Sequence, residues 1–280
     1  MTVDGRTSER SAGTAPIDLE PIDHAHRCRA VVERLGALDC DALLLTDLVD
    51  VRWLTGFTGS NGWVVERDGA LTLGTDLRYR ERAAAETAQA AVDIVARQQR
   101  DDLHARLTGL LSGTERVALD AAGITHAQWA QLAADVAVTP VDSPVAQLRQ
   151  VKDDAEIARM AAAAAAADAA LAEVEPMLVA AADAALTEAD VRTELEYRMR
   201  LHGADDRSYD TIVAAGPHHS ARPHHEASGR PITDGDTVII DVGGLVDGYH
   251  SDMTRSWVIG EPTPEQIEIH ALVAASQQAG

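Results

Sequence analysis

Two carboxylates lie near each other in a segment of the sequence that folds back on itself. Asp241 directly follows the apolar residues 238–240, which predict a buried strand, and Asp252 lies on the returning segment beyond a turn signal. An ionised carboxylate inside a protein is costly unless it is paired or binds a metal ion. Two such groups that converge therefore indicate a cation between them.

The position of the turn decides whether the two side chains share a face, because side chains alternate along a strand. A turn at residues 246–247 puts Asp241 directly opposite Asp252. A turn at Asp247-Gly248, the better type I′ dipeptide, puts them on a diagonal. Both registers keep the Cβ atoms roughly 5 to 8 Å apart on one face. A three-residue loop would place the two side chains on opposite faces of the hairpin and exclude a shared metal ion. The alternative interpretation is that Asp247 and Asp252 are turn and edge residues and that backbone amides cap Asp241.

A histidine-rich loop precedes this hairpin. Four of the chain's 11 histidines, His218, His219, His224 and His225, lie at residues 218–225. Histidine serves as a metal ligand, proton shuttle or hydrogen-bond donor to substrate. No cysteine pair accompanies them, which excludes a zinc finger, and no Gly-x-Ser-x-Gly elbow supports a serine hydrolase. For His218, His219 and His225, the simpler expectation is an exposed loop.

The first half of the chain predicts an α/β architecture. Helical spacing at residues 26–38 is followed by a buried strand at 41–46, and strands and helices continue to alternate up to 136–141. This alternation predicts a mixed sheet covered by helices. The segment 139–144 carries two prolines, and we expect the boundary between two domains there. The predicted divisions are a disordered leader at 1–20, one domain at 21–144 and a second at 145–280.

The second half begins with a long helix. Residues 153–185 are rich in alanine, the best helix former, and we expect Pro176 to interrupt the helix. Another helix begins at Thr187, a strand follows at 211–215, and Thr263 has the N-cap pattern of the last helix. These elements must position the histidine loop and the aspartate hairpin.

Charge and composition exclude several classes of protein. A net charge of -21 argues against nucleic acid and anionic membrane as partners. The sequence has no apolar stretch near the roughly 20 residues that span a bilayer. The first twenty residues have no apolar core of a secretory signal, and only two cysteines occur. We therefore expect a cytoplasmic protein with reduced thiols.

Several motifs together resemble the pita-bread metallopeptidases, and most closely aminopeptidase P and Xaa-Pro dipeptidase (prolidase). The catalytic half is represented by residues 208–217 (SYDTIVAAGP), 221–225 (ARPHH) and 236–255. Residues 54–61 (LTGFTGSN) and 75–79 (TDLRY) resemble the creatinase-like N-terminal domain. The resemblance covers about residues 25–280. It implies a creatinase-like mixed-sheet domain followed by a pita-bread catalytic domain.

The resemblance also implies roles for single residues. Asp241 matches the aspartate that chelates one of two divalent ions, and Asp252 matches the aspartate that bridges both. His224 matches the histidine that contacts the substrate and stabilises the tetrahedral intermediate. Carboxylate oxygens suit Mn²⁺, Co²⁺ or Zn²⁺, and two ions about 3.5–4 Å apart generate a hydroxide and polarise the scissile carbonyl. Where the family usually has asparagine after Gly-Pro, this chain has His218.

The implied function is hydrolysis of the Xaa-Pro bond of a peptide with proline at its second position. The family completes its metal site with a histidine and two glutamates beyond the helix that begins at Thr263, so only two of five ligands lie in this sequence. We expect the pita-bread domain to be incomplete at its C-terminus and the chain as given to be inactive. A creatinase-type amidinohydrolase and a non-catalytic binding or dimerisation module are the alternatives, and a homodimer is a candidate assembly.

Overall fold

The computed structural model describes residues 19–97 and 101–280, apart from the side chains of residue 97 and residues 101–103. The expected leader at 1–20 lies almost wholly outside the described residues. The chain divides into two compact units, one of which is Pro21–Lys152 and the other is built on Asp153–Gly280. Each unit has its own hydrophobic core.

The first unit contains one six-stranded mixed sheet, in the order β4-β3-β2-β1-β5-β6. Its strands are β1 Ala42–Leu45, β2 Gly62–Arg67, β3 Ala70–Asp76, β4 Val92–Arg97, β5 Val117–Asp120 and β6 Val138–Val141. Its helices are α1 His24–Ala37, α2 Leu48–Thr55, α3 Arg80–Glu86, α4 Asp101–Leu110, α5 His126–Ala133 and α6 Pro144–Leu148, with a 3₁₀ turn at Leu77–Tyr79.

Central strand β1 shows why this sheet is covered on both faces. It pairs antiparallel with β2 and parallel with β5, and all four of its residues are buried. Leu43 and Leu45 pack into one hydrophobic cluster, and Ala42 and Leu44 pack into another. Because successive side chains point to opposite faces, an entirely apolar strand requires a core on each side. The predicted mixed sheet with covering helices is confirmed.

The segment proposed as the domain boundary lies inside the first unit. Ser143 caps helix α6 by accepting from the N–H of Ala146, and Pro144 occupies the first turn. Val145 is fully buried in the first unit's core. The prolines therefore begin a short packed helix, and the division between units falls after Lys152 instead.

The second unit is dominated by two helices and two small antiparallel sheets. Its helices are α7 Asp154–Val179, α8 Ala181–Ala184, α9 Glu188–Leu201, α10 Gly216–His219 and α11 Pro264–Ala279. Its strands are β7 Asp206–Arg207, β8 Ile212–Ala215, β9 Thr237–Val242, β10 Gly244–Val246, β11 Tyr249–His250 and β12 Met253–Val258. The sheets have the orders β12-β9-β8 and β11-β10-β7. Capping boxes begin α9 at Thr187 and α11 at Thr263, as predicted.

Helix α7 continues through Pro176, so the predicted interruption there is wrong. The helix runs one further turn to Val179, and both Val174 and Leu178 are buried. Proline removes one helical hydrogen bond and crowds the preceding turn, and here the burial of those two side chains outweighs that penalty. Within the described part of the chain, no helix is both long and apolar enough to cross a membrane.

Candidate active site

The aspartate hairpin has the register expected for a type I′ turn. Asp247 and Gly248 form the turn with φ values of 47° and 81°, and Leu245 pairs with His250 across it. Strands β9 and β12 continue the same register, in which Thr254 lies opposite Asp241. Asp252, two residues before Thr254, is therefore diagonal to Asp241 on the same face.

Both carboxylates contact one hydroxyl group. The Oη atom of Tyr209 lies 2.8 Å from Oδ1 of Asp241 and 2.9 Å from Oδ1 of Asp252. Thr254 Oγ1 donates a further hydrogen bond of 3.2 Å to Asp241. Because a phenol has a single proton, Tyr209 can donate to only one carboxylate at a time. The arrangement brings two negative charges together with one proton to share.

The environment of Tyr209 keeps that proton in place. Burial, followed by the hydrogen bonds to Asp241 and Asp252 and their negative charges, raises the pKa of Tyr209 well above its usual range. The phenol is therefore a neutral donor at physiological pH. This residue was missed as a site residue, although it lies in the SYDTIVAAGP motif that carried the family resemblance.

Gly243 allows the segment that carries Tyr209 to approach the hairpin. The N–H of Ser208 donates a hydrogen bond of 2.7 Å to the carbonyl of Gly243. A Cβ atom at Gly243 would lie only 1.9 Å from the carbonyl oxygen of Ser251. The absence of a side chain at this position thus lets three backbone segments meet beside the carboxylates.

The two aspartates differ in exposure. Asp241 is half-buried, whereas Asp252 and the middle three residues of β12 are exposed. The expectation of two buried carboxylates is therefore wrong for Asp252, since β12 lies at the edge of its sheet. The cost of burial alone does not demand a cation here. The shared hydroxyl, with one proton for two carboxylates, is the stronger indication.

The histidine loop is divided between solvent and a buried cluster. His224 and His218 are exposed, and among the described residues no hydrogen bond joins His224 to either aspartate. His225 is buried and His219 is half-buried, so the expectation that both lie in an exposed loop is wrong. They turn inward because a buried carboxylate, that of Glu188, accepts hydrogen bonds from both.

Glu188 is the centre of this cluster. Its carboxylate accepts from the ring nitrogens of His219 and His225 at 2.8 and 2.9 Å, from the N–H of Ala215 and from both donors of Ser228. Burial raises the pKa of Glu188, but the hydrogen bonds from His225, Ser228, Ala215 and His219 outweigh it and lower the pKa to about 2. Glu188 is thus a buried anion whose two oxygens both accept hydrogen bonds, and it anchors the backbone next to His224.

Comparison with known proteins identifies both units. Residues 27–151 match the Creatinase/Prolidase N-terminal domain, and residues 158–280 match Metallopeptidase family M24. A Bacillus subtilis protein described as an uncharacterized peptidase, YqhT, is 33% identical over 248 residues, which are 88% of this chain and 68% of that protein. The chain belongs to metallopeptidase family M24. As an M24 member it is by family a hydrolase.

Solved structures of proline-specific peptidases share this fold. The Xaa-Pro dipeptidase of Bacillus anthracis is 29% identical, with a TM-score of 0.82 over 91% of this chain and 70% of that one. The X-Pro aminopeptidase of Thermotoga maritima is 29% identical, with a TM-score of 0.78 over 90% and 70%. The predicted creatinase-like domain followed by a partial pita-bread domain is confirmed.

The M24 chain spans only part of the length of its relatives. The Xaa-Pro dipeptidase of Pyrococcus furiosus is 36% identical over 139 residues, which are 49% of this chain and 38% of that protein. The solved structures above are matched over about 70% of their length.

Proposed function

We propose that this chain acts in the hydrolysis of Xaa-Pro peptide bonds, as a proline-specific metallopeptidase of the aminopeptidase P or Xaa-Pro dipeptidase type. The observation that carries the proposal is the convergence of Asp241 and Asp252 on the hydroxyl of Tyr209, in a chain of the M24 family. Two relatives are named as an Xaa-Pro dipeptidase and an X-Pro aminopeptidase. The substrate would be a peptide with proline at its second position.

Asp241 and Asp252 would hold two divalent metal ions together with further ligands. Their residue types fit such ions, since carboxylate oxygens suit Mn²⁺, Co²⁺ and Zn²⁺. Their geometry also fits, because one phenolic proton cannot serve two ionised carboxylates at once. When bound, such ions activate water and polarise a carbonyl group.

The chain's own residues would orient the substrate and the carboxylates. Tyr209 donates its proton within the aspartate pair and keeps the two carboxylates facing one point. His224 is exposed beside the anchored His225, where its ring can donate a hydrogen bond to the oxygen that gains negative charge during peptide hydrolysis. The net charge of -21 attracts the ammonium end of a peptide.

The 280-residue chain on its own should bind these ions weakly and cleave Xaa-Pro bonds poorly. Two aspartates leave most coordination positions to water, and Asp252 is exposed, so electrostatic catalysis is weakened by solvent.

The converging carboxylates favour the peptidase over a creatinase-type amidinohydrolase or a non-catalytic binding or dimerisation module. A cytoplasmic location and a homodimer belong to the same proposal.

Mn²⁺ titration by calorimetry and hydrolysis of Ala-Pro and Ala-Pro-Ala test the proposal. Asp241→Asn and Asp252→Asn should each lower Mn²⁺ affinity at least about ten-fold and remove any metal-dependent hydrolysis. Asp210→Asn is the matched control, because Asp210 is exposed and forms an ion pair with Arg207 at 2.6 Å. Metal-dependent turnover that is unchanged in Asp252→Asn would refute the assigned role of the pair.

A further inference from the structure

A second group of metal-binding side chains lies away from the aspartate pair. Glu188, His219 and His225, here called the Glu-His-His cluster, each offer one ligand atom, and these atoms all lie within 4.8 Å of one another. We propose that the Glu-His-His cluster binds one divalent transition-metal ion of the zinc type. This site is independent of the proposed peptidase function.

The cluster is already organised for binding. The side chain of Glu188 is fully buried, that of His225 is 5% exposed and that of His219 is 20% exposed. The two imidazole rings stack with their centroids 4.1 Å apart and an interplanar angle of 30°, so both present a nitrogen to the same carboxylate. Little side-chain entropy remains to be lost on binding. His219 forms the solvent side, through which an ion can enter.

The donor set selects the class of ion. Two imidazole nitrogens and one carboxylate oxygen form the three-ligand set typical of zinc, with the fourth position open to water. Imidazole favours Zn²⁺, Co²⁺, Ni²⁺ and Cu²⁺ over Mg²⁺, Ca²⁺ and Mn²⁺, which prefer all-oxygen sites. The aspartate pair offers only oxygen atoms in the described residues, so the two sites should differ in their preference.

The groups around Glu188 supply the outer contacts that a metal-binding carboxylate needs. The N–H groups of Ala215 and Ser228 and the hydroxyl of Ser228 donate to the carboxylate at 2.8, 3.0 and 2.7 Å. These three bonds can persist when an ion is bound and would orient the ligand. The proton on each histidine nitrogen that faces Glu188 must leave or move to the other ring nitrogen, so binding weakens as pH falls.

The cluster is distinct from the aspartate pair. On β8, Ile212 lies opposite Asp241, whereas Ala215, which contacts Glu188, lies opposite Val238. Three residues of strand separate the two positions, which corresponds to about 10 Å. By binding His219, His225 and Glu188 together, an ion would cross-link the loop at residues 216–228, which includes His224, to the first residue of α9.

Co²⁺ is the probe for the test, because tetrahedral Co²⁺ with nitrogen ligands absorbs strongly in the visible range. The unmodified chain should bind one equivalent of Co²⁺ with this absorption, and Zn²⁺ should displace it. His219→Asn keeps a donor for Glu188 but loses the ligand, and it should weaken Co²⁺ and Zn²⁺ binding at least about 100-fold. His218→Asn, at the neighbouring exposed histidine, should bind like the unmodified chain.

Three outcomes would overturn the site. They are absence of visible Co²⁺ absorption in the unmodified chain at neutral pH, unchanged affinity in folded His219→Asn, and loss of the absorption in the double variant Asp241→Asn/Asp252→Asn. X-ray absorption at the zinc edge of the unmodified chain, loaded with one equivalent, needs no variant to fold. Two imidazole ligands are expected there, and a shell of oxygen atoms alone would assign the ion to the aspartates.

Discussion

At the residue scale, the site depends on one proton shared between two charges. The placement of Asp241 and Asp252 on one face could be predicted from the sequence, because both turn registers that the sequence allows put them there. Tyr209 could not be found in that way, since its contact depends on the approach of a separate segment to Gly243. Glu188 was hidden for a similar reason. Its partners come from α10, β8 and the loop at Ser228, which are distant in sequence.

Tyr209→Phe should lower the free energy of unfolding by about 1–3 kcal/mol in metal-free buffer, because the carboxylates lose their shared donor. Added Mn²⁺ should recover part of this loss, since a cation can take the place of the proton. Urea denaturation with and without Mn²⁺ measures both effects. Tyr197→Phe is the control, at a residue that is 56% exposed. An equal loss with and without Mn²⁺ would show that no ion binds between the aspartates.

Glu188→Gln should destabilise the protein in a pH-dependent way. The pKa of Glu188 is lowered from 4.5 to about 2, so its ionised form stabilises the fold above about pH 4.5, and this contribution disappears as pH falls towards 2. The difference between Glu188→Gln and the unmodified chain should be on the order of 1–3 kcal/mol at pH 7 and shrink below pH 4. Urea melts from pH 7 to pH 3 measure it, and a difference that grows on acidification would contradict the assignment.

At the scale of elements, the sequence predicted the turns and helix starts that local motifs specify, but not the features that depend on packing between distant segments. Of the two registers that the sequence left open, β9 and β12 adopt the one with the turn at Asp247-Gly248, and the capping boxes predicted the starts of α9 and α11. The end of α7 and the role of Pro144 were misjudged, because burial of Leu178 and Val145 decides them. Local propensity cannot report which side chains a distant segment will cover.

The close packing of α7 on β10 gives a test at this scale. A Cβ atom added at Gly244 would lie 2.7 Å from the backbone carbonyl oxygen of Ala163. Gly244→Ala should therefore lower the free energy of unfolding by about 1–3 kcal/mol. Gly229→Ala, where no atom lies within 4 Å of the new Cβ, should change it little. Thermal melts of the two variants compare them directly, and equal melting temperatures would show that the helix simply shifts.

At the scale of the whole molecule, the two units carry separate cores. Each hydrophobic cluster draws its residues from one unit alone, and the family matches follow the same division. The class of fold and the family could be predicted from the sequence, because they rest on long alternating patterns and contiguous motifs. The boundary proposed near Pro144 could not, since proline marks both linkers and helix starts.

The fragment 21–152 should fold by itself with a cooperative thermal transition, because its core is complete. The shorter fragment 21–143 should melt at a lower temperature or fail to fold. It lacks the fully buried Val145 and the ion pair of 2.8 Å between Arg149 and buried Asp50. Circular dichroism melts of both fragments measure the difference. Equal melting temperatures of the two fragments would instead support a domain boundary at Pro144.

The hydroxyl shared by the aspartates also provides an intrinsic spectroscopic signal for cation binding at the aspartate pair. The hydroxyl of Tyr209 lies between the carboxylates of Asp241 and Asp252, and its raised pKa should leave its phenol unionised in an alkaline absorbance titration until the fold opens. A cation bound at the aspartates would offset their charge and bring that pKa down. One ultraviolet band could then follow occupancy of the aspartate pair without any label, while Co²⁺ absorption follows the histidines.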